Sequence, residues 1–429
     1  MITRIEAHNY RCFPALSIDL GRYHVLAGAN GAGKTTLLDI PVFVGELIRR
    51  RGIVAPLLDQ QDNGRAPRAS TLTDLLHKGQ GDAVAFAFEA RLPSSVAAVL
   101  GETSQARVGG TVPTHLRYEL RLAITAREIG VADEYLFLFA EDGDRPAAGT
   151  FPQGRSVVGL ELQHDDWQSV IHRPGGPLTQ LTPETTRQPT DIPQLRLAST
   201  QLALGAVPPD ETFFPAALWF AGLLRDAVYF APDPEALRGA APPGLPKRLT
   251  PSGRSLPWLA LGLQNSRPAD FSSWIDHVRT ALPQVKDIRA HEREGDHYAY
   301  FSVEYEGGYQ VTSPGLSDGT LKIMAVTLLP FLGAETVPRL LVTEEPENGI
   351  HPRAIETVIE SLSSLFDVQV WVSTHSPIVL AHTQRHDILA TRLTEDGSVS
   401  VVPGDLHPRL REWQGEVDLG TLFAAGVLS

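Results

Sequence analysis

The sequence predicts an α/β fold with a mainly parallel core sheet, an antiparallel β layer and an inserted helical or irregular region. Three observations predict it. The apolar runs 23–27, 339–343 and 368–372 suit buried strands, and the first leads directly into a helical pattern from Thr35. Four β-rich segments at 82–92, 114–125, 134–141 and 156–163 follow one another without helical patterns between them, which suits an antiparallel layer better than further βαβ units. No heptad pattern is sustained between residues 50 and 310, so long coiled-coil arms are not expected.

In chain order, strands are expected at 2–8 and 15–20, and Gly21-Arg22 turns the chain into the strand 23–27. Gly28-Ala29-Asn30-Gly31-Ala32-Gly33-Lys34-Thr35 then fills every fixed position of the G-x-x-x-x-G-K-[ST] phosphate loop, between a strand and a helix as that motif requires. The glycines let the backbone curl so that consecutive N–H groups face phosphate oxygens at a helix N-terminus. Lys34 is placed to reach the β- and γ-phosphates, and the Thr35 hydroxyl to ligate Mg2+. Gly28, Asn30, Gly31, Gly33, Lys34, Thr35 and Thr36 are the candidate nucleotide-binding residues here. Arg49-Arg50-Arg51 ends the helix, where cations complement the helix dipole; a nucleic-acid contact is the other reading. Residues 59–70 are polar and rich in turn formers, and 174–193 are Pro/Thr-rich and expected to be irregular. Residues 232–257 carry seven prolines, which reads as a long surface connection. Strands are expected again at 285–291 and 298–305.

Leu316-Ser317-Asp318-Gly319-Thr320 precedes an amphipathic pattern with Leu321, Met324, Ala325 and Leu328 at helical spacing. Ser317 and Asp318 suit an N-cap; the functional reading is that Ser317 and the Gly319 N–H bind a γ-phosphate at that helix start. The strand beginning at Arg339 ends in Glu344 and Glu345. Successive strand side chains point to opposite faces, so the two carboxylates have different jobs. Glu344 is placed to hold Mg2+ through a water, and Glu345 to orient or deprotonate the water that attacks the γ-phosphate. The strand beginning at Val368 ends near His375, which can donate a hydrogen bond to a terminal phosphate. Lys34, Glu345 and His375 are thus the candidate catalytic residues, and Thr35 and Glu344 the candidate metal ligands. His164-Asp165-Asp166 and His172 read as a solvated polar loop rather than a nuclease metal site.

With 42% hydrophobic and 20% charged residues, the 429-residue chain is globular. A single cysteine, Cys12, excludes an intrachain disulfide framework and fits a reducing compartment. The first residues lack a signal-peptide pattern, and the longest apolar stretches, 213–224 and 323–334, are too short to span a bilayer. A cytoplasmic location without membrane contact is expected. The net charge of −13 argues against a generally basic nucleic-acid coat but leaves a local basic groove open.

In their order, these motifs resemble an ABC-type ATPase head of the RecF/SMC kind, and are most similar to the AAA-named ABC ATPases related to OLD-family nucleases. The phosphate loop, 316–320 as signature motif, 342–345 as Walker B and 373–377 as switch-histidine loop carry the resemblance. Asn9-Tyr10-Arg11-Cys12-Phe13 matches the family's opening Asn-aromatic-Arg-x-Phe, and Glu345-Pro346-Glu347-Asn348-Gly349-Ile350-His351-Pro352 its extended Walker B and D-loop. The signature has Asp318 where transporter-type ABC proteins have glycine, and Walker B has Glu344 in place of aspartate. Tyr229-Phe230-Ala231-Pro232-Asp233 falls near the expected Q-loop, and by the resemblance Arg11 lies near the nucleotide.

The resemblance implies a P-loop NTPase forming one ABC-type ATPase domain over residues 1–429. Its parts would be an N-terminal core with the phosphate loop (1–51), a β layer plus inserted region (52–282) and a C-terminal core with signature, Walker B and switch histidine (283–429). It further implies ATP and Mg2+ as cofactors, and a homodimer in which Ser317 and Gly319 of one head contact the γ-phosphate held by the other. OLD nucleases continue into a Toprim domain, for which this sequence leaves no room. The expectation is therefore an ATPase controlling a separate effector, such as a Toprim-like or HNH-like nuclease encoded nearby, in DNA repair or antiphage defence. A RecF/SMC-like DNA clamp without a nuclease is the alternative. A transporter ATPase subunit is opposed by Asp318 and by the lack of a membrane element.

Overall fold

The computed structural model describes residues 1–50, 52–61, 64–102, 111–125, 127–140, 167–185, 194–411 and 418–426. The chain divides into two compact units. Met1–Gly21, Ile40–Asp226 and Leu393–Val401 make the first; Arg22–Asp39, Ala227–Arg392 and Val402–Ser429 make the second.

The first unit is built on an antiparallel sheet. Its strand order is Phe13–Asp19, Ile2–Tyr10, Ala83–Arg91, His115–Ile124, Ile129–Phe139, Gln168–Pro174, Leu178–Leu181 and Gln194–Arg196. The β-rich segments at 82–92, 114–125 and 134–141 are thus neighbouring strands of one layer, while 156–163 lies outside the described residues. The expectation that 174–193 is irregular needs correcting over its described part. Leu178–Leu181 is a strand paired on both sides. Pro177 and Pro183 flank it instead of interrupting it, so no ladder hydrogen bond is lost to a proline.

Pairing register gathers charge inside this sheet. Glu89 stands opposite Arg117, and the Arg117 guanidinium reaches Glu6 (2.9 Å), Glu89 (2.9 Å) and Glu119 (2.6 Å). All four side chains are at most 5% exposed. Burial pushes the Glu119 carboxyl above the usual range, opposed by the Arg117 charge.

The second unit carries the parallel core. Its strands lie in the order Val228–Tyr229, Leu340–Glu344, Gln369–Thr374, Tyr23–Ala27 and Ile388–Leu393, each parallel to its neighbour. The helix Pro352–Ser363 makes the crossover between Leu340–Glu344 and Gln369–Thr374. Beside this sheet, Val285–Glu292, Ala299–Tyr305 and Gln310–Thr312 form a three-stranded antiparallel sheet. Trp274, Phe301, Met324, Leu341, Val358 and Val372 belong to one apolar core that fills the unit. Buried Trp274 has its indole N–H satisfied by the Thr327 hydroxyl (3.1 Å).

The proline-rich segment 232–257 is not purely a surface connection. It contains the helix Pro234–Arg238, capped by the Asp233 carboxylate on the Glu235 N–H, and its end opens the helix Leu256–Ser266. Proline is tolerated in a first helical turn because the amide it lacks has no intrahelical partner there. Among the described residues no helix is long and apolar enough to cross a membrane.

Candidate nucleotide site

Parallel pairing brings strand ends to one edge of the sheet, where ligands of open α/β sheets bind. Here Thr374 stands opposite Ala27, and Glu344 opposite Ser373. The three chains that leave this edge carry the phosphate loop, the carboxylate pair and the histidine.

The phosphate loop leaves at Gly28, which is buried. A Cβ there would overlap the backbone carbonyl of Thr391, whose hydroxyl is bonded to the Ala27 carbonyl (3.2 Å). Gly31 and Gly33 take φ of 77° and 75°, and Ala29, Asn30 and Gly31 are exposed. Gly28→Ala is expected to displace the loop, lowering the melting temperature by several degrees and abolishing nucleotide binding. Thermal unfolding and equilibrium binding of a fluorescent ATP analogue check both.

Lys34 is buried and its ammonium donates to the Gly28 (2.9 Å) and Ala29 (3.0 Å) carbonyls. Burial holds it below the usual lysine range, while the Glu345 and Glu344 carboxylates oppose that shift. The Thr35 hydroxyl donates to one Glu344 oxygen, and the Tyr229 hydroxyl donates to the other at 2.5 Å. Thr36 is half-buried in the first turn of the helix Lys34–Arg49.

Glu345 has a left-handed backbone, φ 44°, which is costly for a residue with a side chain. Its N–H donates to the Ser373 carbonyl (2.8 Å), which holds the turn against the neighbouring strand end. Its carboxylate accepts from the Asn348 amide (2.7 Å) and lies 3.4 Å from His375 Nε2. Burial, then the Lys34 charge, pushes His375 below the usual histidine range; Glu345 and Glu344 pull the other way. Near neutral pH the His375 imidazole is therefore neutral and able to act as a hydrogen-bond donor.

Ser317 caps the helix Asp318–Thr327, its hydroxyl accepting from the Thr320 N–H (3.2 Å). Ser317 and Asp318 are exposed, and the Asp318 carboxylate pairs with Arg238. Gly319 lies close against the Gly349 carbonyl, and Lys322 donates to the Asn348 carbonyl (2.8 Å). The start of this helix is thus seated on the turn that follows Glu345. Both the cap reading of Ser317 and an exposed, ligand-facing position are compatible with this geometry.

Of the candidates, Lys34, Thr35, Glu344, Glu345 and His375 are brought together in the second unit. Arg11 belongs to the first unit, where its guanidinium donates to the Arg68 carbonyl (2.8 Å). His164, Asp165 and Asp166 lie outside the described residues. His172 sits on the strand Gln168–Pro174, its ring against Tyr135.

Residues 194–381, a little under half of the chain, match a family described as "AAA domain, putative AbiEii toxin, Type IV TA system". No curated protein matches the chain. Among solved structures, an SMC head bound to the C-winged helix domain of ScpA aligns over 94% of this chain and 97% of its own, with TM-score 0.53 and 13% identity. The chain shares the fold of that SMC head domain over nearly its whole length. Two further SMC heads also align, with lower TM-scores. One, with an extended coiled coil and bound to the C-terminal domain of ScpA, is derived from Pyrococcus furiosus (TM-score 0.49, 10% identity, 94% and 95% covered). The other is from Thermotoga maritima (TM-score 0.41, 11% identity, 94% and 98% covered).

The same sheet edge also gathers residues that the sequence did not mark as site residues. Tyr229, which the sequence placed only loosely near a Q-loop, supports Glu344 from the adjacent strand Val228–Tyr229. Glu347 accepts from the Thr374 hydroxyl, joining the turn after Glu345 to the histidine loop. The one sequence signal for these contacts was proximity to Glu345 and His375, which does not specify a partner.

Proposed function

We propose that the chain is a Mg2+-dependent ATPase whose ATP-driven head-to-tail dimerisation controls a DNA-directed process or an associated nuclease effector. The observation that supports this most is the convergence of Lys34, Thr35, Glu344, Glu345 and His375 at the C-terminal edge of one parallel sheet. Donor chemistry fits a metal–triphosphate ligand: an ammonium resting on loop carbonyls, and a hydroxyl and a carboxylate that occupy each other. Mg2+ would be held by Thr35 and Glu344, and when bound it neutralises charge on the phosphate oxygens. Lys34 would hold the terminal phosphates, with Gly28, Asn30, Gly31, Gly33 and Thr36 around them. Glu345 would orient or deprotonate the attacking water, and neutral His375 would donate to the terminal phosphate.

Exposure of Ser317 at a helix start supports a second copy as its target. On this reading Ser317 and Gly319 complete the site held by the other chain's Lys34 and Thr35, and residues 1–429 serve as one head. Arg11 is assigned near the nucleotide by resemblance alone. The γ-phosphate then distinguishes closed from open dimers.

Tyr229 gives a separate handle on the metal. Tyr229→Phe removes a hydrogen bond to Glu344 and is expected to raise the Mg2+ concentration needed for half-maximal turnover by about ten-fold. A Mg2+ titration of phosphate release checks this, and an unchanged midpoint would remove Glu344 from the metal site.

The effector is proposed from the family resemblance. Affinity capture of the Glu345→Gln protein with ATP from its own host tests it: a nuclease retained with ATP and lost with ADP is the expected outcome. The SMC-head fold favours one other reading, a DNA clamp without a nuclease. Retention of duplex DNA that needs ATP and falls steeply with salt, with no nuclease captured, would select the clamp.

A further inference from the structure

Glu347 is a half-buried carboxyl group next to the site that the proposed chemistry does not use. Its Oε1 accepts from the Thr374 hydroxyl, and the Thr374 oxygen in turn accepts the Ser376 N–H (2.9 Å). The residues on both sides of His375 are therefore tied to one carboxyl group. On the opposite side of the same turn, Glu345 faces His375 and is steadied by Asn348. Glu347 and Glu345 thus engage the histidine loop at successive points, and Glu345 N–H to Ser373 O adds a third stitch.

The second oxygen of Glu347, Oε2, is shielded from solvent. Burial pushes this carboxyl above the usual range, against hydrogen bonds from the Thr374 hydroxyl and from the Glu347 and His375 N–H groups and with help from the Glu345 charge. The same carboxyl group thus also meets the backbone of His375 itself.

We propose that Glu347, acting through Thr374, is the positioning residue that holds His375 against Glu345. This deepens the ATPase reading and rests on it for its kinetic arm alone.

The test compares wild type, Glu347→Gln, Glu347→Ala, Thr374→Ser and Thr374→Val. The readouts are kcat and KM for ATP, and an NMR titration of the His375 imidazole without nucleotide, assigned with His375→Gln. Glu347→Ala and Thr374→Val are expected to lower kcat by about ten- to a hundred-fold with KM little changed, and to move the His375 titration. Glu347→Gln, which keeps the acceptor, restores most of the loss, as does Thr374→Ser, which keeps the hydroxyl. If Glu347→Gln is as impaired as Glu347→Ala, accepting the Thr374 hydroxyl is not what Glu347 supplies and the proposal is overturned. A His375 titration unmoved in both Glu347→Ala and Thr374→Val overturns it too, since a merely structural role lowers the melting temperature alone. If Glu347→Ala does not fold, the Thr374 pair decides. A wild type that hydrolyses no ATP defeats the ATPase reading, while the His375 titration still decides the positioning role.

Discussion

Glu345→Gln is expected to lower ATP turnover by about 10²- to 10⁴-fold while leaving ATP affinity within a few-fold of wild type. Glutamine fills the same volume and can still accept from the Asn348 amide, so the strained turn at φ 44° keeps its support. What is lost is the basic oxygen that faces His375. Binding depends instead on Lys34 and the loop that precedes it, which the substitution does not touch. Steady-state phosphate release and equilibrium ATP binding separate the two effects. Turnover at the wild-type rate would show that Glu345 is not the base.

Arg117→Ala is expected to cost about 3–5 kcal/mol of stability, because it removes a positive charge that three buried carboxylates share. Arg117 is bound to Glu6, Glu89 and Glu119, all buried, and of these Glu6 also pairs with Arg4 (2.8 Å). The deficit carries a pH signature. Glu119 already has a folded-state value raised by burial, so the folded protein holds that proton more tightly than the unfolded chain does. Stability from this group therefore falls as pH rises from the unfolded value through the raised one. Without Arg117 the raised value climbs further, so the deficit should shrink as pH falls from about 7 toward about 5. Urea unfolding of wild type and variant at both pH values measures it. A loss below about 0.5 kcal/mol, typical of surface substitutions, would show the cluster to be solvated.

The parts of the fold legible in the sequence were those encoded locally. The phosphate loop, the apolar strands ending at Glu344 and before His375, and the alternating segments of the antiparallel layer all lie in short windows. Their pairing was not encoded that way. Arg117 meets Glu6 across 111 residues of sequence, and the contact exists because sheet register sets Glu89 opposite Arg117. Tyr229 joins the site because a two-residue strand pairs with Leu341 and Val342. Nothing in its flanking proline-rich sequence marks that strand. Counting prolines in 232–257 also hid helices, since Pro234 and Pro257 each stand in a first helical turn. At the site, motif spacing identified which residues bear chemistry. Burial and cross-strand contacts were needed to see that Tyr229, Glu347 and Thr374 stand beside them.

A mixing measurement addresses the composite, two-chain site most directly. Lys34→Ala removes the phosphate-holding charge, and Ser317→Arg blocks the exposed helix start. Each variant alone is expected to lack ATP turnover. Mixed, they form dimers in which one site combines the intact phosphate loop of the second variant with the intact Ser317 of the first. Turnover should return on mixing and follow the concentration of the mixed dimer. Wild-type turnover by Ser317→Arg on its own would contradict a site completed by a second chain.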